Sequence, residues 1–170
     1  MVSTLIRRRT DHWVFNLDSG KSWVSKAPLP NPRNHLGYVV NGGKIYAIGG
    51  QHILDEKHSN QSEVDVYDPL INVWTKVASL PIARSHTHNS TFVRNGKIVV
   101  VGGQANGRDR PTTLADVSEY DPKSNKWVTI YTLPEPRQAA VAALINNQII
   151  VTTGTPTVIN PKTTTWILAK

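Results

Sequence analysis

The chain of 170 residues contains no cysteine, one methionine and two phenylalanines, and it has 12 acidic residues against 19 basic ones. The absence of cysteine excludes disulfides, thiolate metal sites and cysteine nucleophiles. No apolar run approaches the roughly 20 residues that a membrane-spanning helix needs. The opening segment, MVSTLIRRRTDHW, lacks the apolar core of a signal peptide. We therefore expect no membrane span. The compartment is unknown, and an extracellular location stays open if the chain is a fragment of a secreted protein.

A helical pattern of apolar residues is missing as well. No stretch of 11 to 18 residues repeats apolar side chains at the i, i+3, i+4, i+7 spacing of an amphipathic helix. Short runs of Val, Ile, Thr, Trp and Tyr are instead bounded by Gly, Pro, Asn and Asp, which is typical of strands and tight turns. The sequence predicts an all-β fold.

The net charge of +7 is not concentrated on any recognisable face. The one dense basic cluster is Arg7, Arg8 and Arg9, close to the N-terminus, and the other basic residues are scattered. A nucleic-acid surface would need clustered basic residues with stacking aromatics beside them. We expect no nucleic-acid partner.

The dominant feature is an internal repeat. Trp23, Trp74 and Trp127 are separated by 51 and then 53 residues, and three arginines show the same two gaps. Each of these arginines lies three residues after a proline of a Leu-Pro pair. A period in this range indicates a repeat architecture such as a propeller or a solenoid.

One repeat can be interpreted as four antiparallel strands. An Asn-Gly turn joins the first two strands, because Asn and Gly accept the positive φ of a tight hairpin. A Gly-Gly pair ends the second strand and indicates close approach of neighbouring backbones. A long polar loop, 51–62, follows, and the Asp-Pro turn at 68–69 joins the third and fourth strands. The first strand is expected to be the innermost of the sheet.

This pattern resembles the kelch repeat, in which the glycine pair ends the second strand, a Tyr lies on the third and a Trp on the fourth. The resemblance implies a β-propeller of four-stranded blades. The structural positions that match in two repeats are Gly49, Gly50, Tyr67, Trp74, Gly102, Gly103, Tyr120 and Trp127. The last repeat is degenerate, with Thr153-Gly154 in place of the pair, Ile159 in place of the Tyr, and Trp166 kept as the fourth-strand residue.

The expected organisation is a partial kelch propeller of about three full blades and an outer half-blade, over residues 12–170. The predicted segments are an extension at 1–11, a half-blade at 12–30, blades at 31–81 and 82–134, and a degenerate blade at 135–170. Closed propellers typically have four to eight blades. Three interpretations stay open: a fragment of a six- or seven-bladed protein, two copies that close one ring, or a stack that either stays open or is completed by another chain.

Histidine is the chemically suggestive residue type. His86 and His88 are expected to share one side of the innermost strand with Arg84, because side chains alternate along a strand. His35 occupies the place of His86 in the preceding repeat, and Gln51, His52 and Gln104 follow second strands. These residues predict either a polar axial surface that hydrogen-bonds internally, or a metal site built from His86, His88 and a third ligand such as His35 or His52. No acidic residue stands at a matching position to complete such a metal site, so we assign no metal.

The arginines that follow the Leu-Pro pairs also have two interpretations. Their constant offset from the junction between blades favours bonding to loop carbonyls or to an aspartate, and the alternative is contact with a ligand. The full set of candidate binding residues is Arg33, His35, Gln51, His52, Arg84, His86, His88, Gln104 and Arg137.

Enzyme signatures are missing from the sequence. There is no Gly-x-Ser-x-Gly elbow, no phosphate-binding loop and no His-Glu-x-x-His. The repeats look similar to the propeller of galactose oxidase, but its radical cofactor needs a Tyr–Cys crosslink, and this chain has no cysteine. We assign no catalytic residue and no cofactor. Whether the chain is an enzyme stays open, and the sequence favours a function without catalysis.

The leading functional hypothesis is a binding module that recognises a protein or glycan through its inter-strand loops and axial face. The two long loops, 51–62 and 104–114, carry charges of both signs at residues 55–57 and 108–110. The style of the repeats resembles secreted or surface multidomain kelch proteins more than ubiquitin-ligase adaptors. The alternatives are a half-propeller that closes a six- or seven-bladed ring as a homodimer, and a carbohydrate-active or metal-dependent axial site.

Overall fold

The computed structural model describes residues 11–54, 57–106, 111–157 and 159–168. Every regular element in these ranges is a β-strand, and all strand pairs are antiparallel. The ranges contain no helix that is long and apolar enough to cross a membrane. The predicted all-β fold is confirmed.

The first sheet is a two-stranded half-blade, formed by β1 (Trp13–Val14) and β2 (Val24–Ser25). Trp13 pairs with Ser25, and Val14 pairs with Val24. Just beyond this register, the rings of Phe15 and Trp23 lie 5.4 Å apart. Tyr67 and Trp74 of the next sheet lie 5.2 Å apart in the same arrangement, so Phe15 takes the place of the blade tyrosine.

Blade 1 follows as a complete sheet of four strands. The strands that the chain forms over this repeat are β3 (Gly37–Asn41), β4 (Lys44–Ile48), β5 (Gln51–Leu54), β6 (Lys57–Asn60), β7 (Val64–Asp68) and β8 (Val73–Val77). The blade has the order β3-β4-β7-β8, while β5 and β6 pair with each other as a separate hairpin. The predicted polar loop at 51–62 is therefore wrong in part, because most of its backbone forms a two-stranded ribbon.

Blade 2 repeats this plan. Its strands are β9 (Thr91–Arg94), β10 (Lys97–Val101), β11 (Gln104–Ala105), β12 (Thr112–Thr113), β13 (Asp116–Asp121) and β14 (Lys126–Thr132). The sheet order is β9-β10-β13-β14, and β11 pairs with β12. The two ends of the predicted loop at 104–114 therefore pair with each other as a short ribbon. Residues 107–110 of this loop lie outside the described residues.

Blade 3 has three strands among the described residues: β15 (Val141–Ile145), β16 (Gln148–Thr152) and β17 (Thr165–Leu168). β17 pairs directly with β16, with Val151 opposite Trp166. The third strand β7 pairs with the second strand β4 in the same way in blade 1. The expectation that Trp166 lies on a fourth strand is wrong, because the strand that carries it occupies the third position of the sheet.

Hydrophobic clusters fill the spaces between neighbouring blades. One cluster joins Ile48 and Val64 of blade 1 to Ile98, Val100 and Tyr120 of blade 2. A second joins blade 2 to blade 3, and its buried members are Val99, Val101, Val117, Leu133, Ala140, Ala142, Ile149 and Val151. The first strands β3, β9 and β15 lie side by side. The blades therefore pack face to face around an inner edge formed by their first strands, as in a propeller.

The glycine pairs lie where successive blades approach most closely. Gly50 N–H donates to the carbonyl of Arg84 at 2.8 Å, and Gly103 N–H donates to the carbonyl of Arg137 at 2.8 Å. Gly49 has φ +58°, and a Cβ placed there would lie 2.5 Å from the Arg84 carbonyl oxygen. Both backbone conformation and space therefore require glycine, as the repeat predicted.

Candidate functional site

The candidate binding residues gather at one end of the blades. The second strands finish at this end, and the chain crosses there from the fourth strand of one blade to the first strand of the next. We call it the hairpin end, because the β5–β6 and β11–β12 ribbons lie there. The opposite end, which we call the turn end, carries the Asp-Pro turns between third and fourth strands, 68–72 and 121–125.

His35 and His86 meet across the boundary between blades 1 and 2. Their rings stack with centroids 4.4 Å apart and an angle of 28° between their planes. The His86 N–H donates to the carbonyl of His35 at 2.8 Å, and Ala139 of blade 3 donates to the carbonyl of His86 at 3.0 Å. The inner connections of the three blades are thus joined by backbone hydrogen bonds.

The segment that contains His86 is a connection, and the predicted strand begins later, at Thr91. His35 and His86 have φ values of 51° and 60°. A left-handed residue interrupts the alternation of side chains that a strand would impose. The expectation that Arg84, His86 and His88 share one face is therefore wrong: Arg84 is fully buried, while His86 and His88 are half-buried. The ring of His88 lies 6.5 Å from that of His35.

A chain of polar side chains lies beneath the histidine pair. Gln51 Nε2 lies 2.9 Å from His35 Nδ1, and Ser85 Oγ lies 2.9 Å from His86 Nδ1. The Ser85 hydroxyl is also 3.2 Å from Gln51 Oε1 and 3.2 Å from Asn60 Oδ1. Gln51 and Ser85 are buried, so they support the histidines from below.

The same network continues into both ribbons. The Asn60 side chain on β6 donates to the carbonyl of Gln104 on β11 at 2.5 Å. His52 Nε2 lies 2.7 Å from Asn31 Oδ1, which fixes the base of the first ribbon to the chain that enters blade 1. Backbone bridges pair Asn34 with Gln51 and Ser85 with Gln104. The structure therefore brings His35, Gln51, His52, His86 and Gln104 into one continuous region.

The arginine side chains at this end are buried inside the blades. Arg33 pairs with Asp65 at 2.8 Å, and Arg84 pairs with Asp116 at 2.9 Å; both guanidiniums are fully buried. Arg33 also donates to the carbonyls of Gly49 and Ala47. We therefore revise the ligand-contact expectation for these arginines, because their donors are directed at carboxylates and carbonyls of their own blade.

Arg137 is buried as well, but in different surroundings. It pairs with Glu135 at 2.8 Å and donates to Thr164 Oγ1 at 2.8 Å. Its guanidinium carbon lies 4.3 Å from the centre of the Trp166 ring, a distance that allows a cation–π contact. Trp166 thus packs on the blade arginine in blade 3, where β17 fills the third position.

The metal alternative receives no support from the described ranges. They hold no group of three or more His, Cys, Asp or Glu side chains that could bind an ion together. The chemistry of the hairpin end is that of imidazole, amide and hydroxyl groups. At the turn end, a hydrogen bond from Lys44 lowers the pKa of Asp68, and the backbone N–H of Leu70 adds to this effect.

Sequence reasoning missed two asparagines that join the blades. Asn125 Oδ1 accepts hydrogen bonds from the Tyr120 hydroxyl at 2.8 Å and from the Ala78 N–H of blade 1 at 2.8 Å. The Trp127 indole N–H donates to the carbonyl of the same Ala78 at 2.9 Å. Asn72, Tyr67 and Trp74 hold Ala27 of the half-blade in the same way. The signal was present as an Asn two residues before each of these tryptophans.

Comparisons with known proteins agree with this architecture. A family model described as the KLHDC2/KLHL20/DRC7 Kelch-repeats domain matches residues 6–154. Kelch-like protein terF of Aspergillus terreus is 31% identical over 144 residues, which cover 82% of this chain and 31% of that protein. The F-box/kelch-repeat protein At1g67480 of Arabidopsis thaliana is 30% identical over 147 residues, which cover 86% of this chain and 38% of that protein.

A further relative and a solved structure extend the comparison. Beta-scruin of Limulus polyphemus is 30% identical over 135 residues, which cover 76% of this chain and 14% of that protein. The chain therefore spans between 14% and 38% of the length of these three relatives. The solved structure of YjhT matches with a TM-score of 0.77 at 18% identity, over 94% of this chain and 59% of that one, and supports the fold.

Proposed function

The chain belongs to the kelch-repeat family, and from this premise we propose that it is a non-enzymatic binding module that contacts a protein partner through its hairpin end. Kelch-repeat proteins generally mediate protein interactions. Rigid blades that present ribbons and loops at one end suit recognition, since the scaffold holds the contact groups in place.

The observation that carries the proposal is the continuity of the hairpin end across two blades. Asn60 ties the first ribbon to the second, while Ser85 ties blade 2 to Gln51 at the base of the first ribbon. The exposed His35 and the half-buried His52, Asn60 and His86 form a polar surface, which the buried Gln51 and Ser85 hold in place from below. Such groups can exchange hydrogen bonds with a partner's backbone and side chains without any catalytic step.

The experiment is affinity capture with three forms of the chain, followed by calorimetry with each purified partner. His52→Ala changes the hairpin end, and Lys123→Ala, on the turn between β13 and β14, is the matched control at the turn end. We expect a protein that binds the wild type and the Lys123 variant alike but binds the His52 variant at least tenfold more weakly. Thermal melting of all three forms checks that the blades stay folded.

Two outcomes would overturn this proposal. If the Lys123 variant loses the partner and the His52 variant keeps it, the turn end is the contact surface. If purified proteins fail to bind while a glycan array gives hits that His52→Ala abolishes, the partner is a carbohydrate.

The strand pairing also bears on whether two copies of this chain associate. Among the described residues, β1 pairs with β2 alone, so the half-blade has an outer pair of strands without an inner pair. Blade 3 has its inner pair, β15 and β16, with β17 at the third position. The half-blade also exposes Trp13 and Trp23, at 53% and 64% of their surface. We infer that two copies associate through this exposed half-blade to close one ring.

Light scattering coupled to size exclusion tests this association. We expect a species of twice 18.8 kDa that becomes monomeric when Trp23→Ser removes the exposed indole. The control is Leu70→Ser, which removes an even more exposed apolar side chain from the turn end and should leave the dimer intact. A wild-type monomer at high concentration would contradict the inference, and it would leave the binding proposal untouched.

A further inference from the structure

The turns between third and fourth strands share one construction in three of the sheets. In the half-blade, blade 1 and blade 2, the side chains of Asn16, Asp68 and Asp121 each accept a hydrogen bond from the backbone N–H two residues later, at 2.8, 3.0 and 2.8 Å. An Asx turn of this kind holds the local backbone in one shape. The half-blade turn also lies at the turn end, because β1 and β2 take the third and fourth places of their sheet. The residues that follow each cap can therefore be compared from blade to blade.

Blade 1 carries exposed aliphatic side chains where blade 2 carries polar ones. Leu70, Ile71 and Val73 expose 93%, 67% and 44% of their surface. The two turns have the same length between the Tyr and the Trp of each blade. The equivalent residues of blade 2 are Lys123, Ser124 and Lys126. Because blade 2 forms the same turn with polar side chains, the fold does not require aliphatic ones in blade 1.

The half-blade adds a further aliphatic side chain to the turn end. Leu17 directly follows the capping Asn16 and is 90% exposed. Leu17, Leu70 and Ile71 all lie outside the hydrophobic clusters between the blades. Single exposed aliphatic side chains are ordinary on a protein surface, but these three lie on neighbouring turns at one end of the molecule. The turn end therefore projects apolar groups at two separate points.

Basic side chains surround these apolar groups. Lys44, on the turn between β3 and β4, pairs with Asp68 at 2.9 Å, which shows that the turns between first and second strands lie at the same end. Among the described residues, six basic side chains belong to the turns of this end, against four acidic ones. The basic ones are Lys21, Lys44, Arg94, Lys97, Lys123 and Lys126, and the acidic ones are Asp18, Asp68, Glu119 and Asp121.

Three of these lysines are available to a ligand. Lys21, Lys123 and Lys126 are exposed, and they form no ion pair within the described part of the chain. Arg94 and Lys97, by contrast, both pair with Glu119 at 3.1 Å. The lysines that are scattered along the sequence thus meet the exposed aliphatic side chains at one end.

We propose that the turn end is a peripheral binding surface for an anionic lipid bilayer. Leu17, Leu70 and Ile71 enter the boundary between headgroups and acyl chains, while the lysines contact acidic headgroups. Binding to a membrane surface increases with the apolar area that is buried and with the attraction between basic side chains and anionic lipid. A protein interface has a continuous apolar centre, whereas a bilayer accepts separate insertions from separate turns. This arrangement favours the bilayer as the ligand.

The orientation has a consequence for the hairpin end. A chain that lies on a bilayer with its turn end directs the opposite end, with both ribbons, towards the solvent. It would therefore hold a protein partner at the membrane surface. That consequence rests on the proposed function, while the membrane contact itself does not.

The test is flotation with vesicles of phosphatidylcholine alone or of phosphatidylcholine mixed with phosphatidylserine. The variants are Leu70→Ser and Ile71→Ser, singly and together. The matched control is Ile167→Ser, which removes a side chain that is 56% exposed on β17, away from the turns. Thermal melting should be unchanged in every variant, because all of these side chains are exposed.

We expect the wild type and the Ile167 variant to float with the mixed vesicles alike. The double variant should bind at least about tenfold more weakly, since the loss grows with each methylene that is withdrawn from the lipid. Failure of the wild type to float with mixed vesicles would overturn the proposal. So would an equal loss in the Ile167 variant, which would indicate adhesion through any exposed apolar face.

A second comparison tests the role of the lysines. Lys126→Ala should weaken flotation about fivefold, while Lys76→Ala, at the other end of strand β8, should leave it unchanged. Added salt should weaken binding of the wild type. Equal binding to neutral vesicles would contradict the proposal. If the wild type ignores vesicles while turn-end substitutions abolish capture of a protein, the turn end binds a protein and the proposal fails. The vesicle assay uses no protein partner, so it can fail independently of the proposed function.

Discussion

At the scale of single residues, the same few side chains join each blade to the one before it. Trp127 and Asn125 each make one hydrogen bond to Ala78 of the preceding blade, and the Tyr120 hydroxyl donates to Asn125. Trp74, Asn72 and Tyr67 hold Ala27 in the same way. Residue 164, which takes the asparagine's position before Trp166, is a threonine. The asparagine is therefore one of the residues of the two four-stranded blades that blade 3 lacks.

Asn125 offers a graded test of this junction. Asn125→Ala removes the acceptor of two hydrogen bonds and places alanine at φ 53°, so we expect a loss of about 2–4 kcal/mol in the free energy of unfolding. Asn125→Gly relieves the conformational part and should cost less. Asn125→Asp keeps the acceptor and should cost least. Urea unfolding of the three variants measures this order, and equal losses would show that the bonds to Tyr120 and Ala78 contribute little.

Arg84 tests the revised role of the arginines. Its guanidinium is fully buried against Asp116, and it also donates to the carbonyl of Gly102. Arg84→Ala leaves a carboxylate and a carbonyl without their partner, for which we expect about 3–5 kcal/mol of lost stability. The measurement is chemical denaturation beside Arg94→Ala, whose guanidinium is more exposed. If the Arg84 variant is folded and stable but no longer binds the partner, the interpretation that this arginine contacts a ligand would be correct.

At the scale of elements, the strands and tight turns of the two regular blades could be predicted from the sequence. Val64–Asp68 and Val73–Val77 pair as the Asp-Pro turn indicated, and Tyr67 lies opposite Trp74. The β5–β6 ribbon could not be predicted, because its sequence lacks the alternation of apolar and polar side chains that indicates a strand. Its pairing depends on anchors from distant parts of the chain, such as Asn34 opposite Gln51.

The prediction of a strand at the histidine connections was wrong for a related reason. The sequence RSHTH has the alternation of a strand, but His86 adopts a left-handed conformation that ends the alternation. The hydrogen bond from its N–H to the His35 carbonyl comes from the neighbouring blade. A contact between residues 51 positions apart has no local signature, so only the grouping of the histidines at one end could be anticipated.

The glycine pair gives a prediction at this scale with an internal control. A Cβ at Gly49 would meet the Arg84 carbonyl oxygen at 2.5 Å, whereas a Cβ at Gly43 would have nothing within 4 Å. Both residues have positive φ, so alanine costs about 1–2 kcal/mol of backbone strain at either site. We expect Gly49→Ala to cost about 1–3 kcal/mol more, because the blades must move apart. Thermal melting that ranks the two variants equally would contradict the tight junction.

The tyrosines between blades 1 and 2 predict sensitivity to alkali. Burial raises the pKa of Tyr46 and of Tyr120 above 10. Their stabilising contribution is therefore complete below pH 10 and is lost as the pH rises through their folded pKa values. Melting temperatures measured between pH 8 and 11 should fall at the alkaline end, and less so for Tyr46→Phe. An unchanged profile in that variant would mean that Tyr46 does not contribute to the loss.

At the scale of the whole molecule, three sets of kelch strands and a half-blade form one continuous stack with two chemically different ends. The hairpin end joins two ribbons and a histidine pair into one polar network, while the turn end carries the Asp-Pro turns 68–72 and 121–125. The half-blade leaves Trp13 and Trp23 exposed, which is the basis for expecting two copies to associate.

The most direct test of the account is hydrogen–deuterium exchange of the chain with and without its captured protein partner. We predict slower exchange on binding at residues 51–60 and 104–114, with no change at the turns 68–72 and 121–125. Protection confined to those turns would contradict the assignment of the hairpin end as the binding surface.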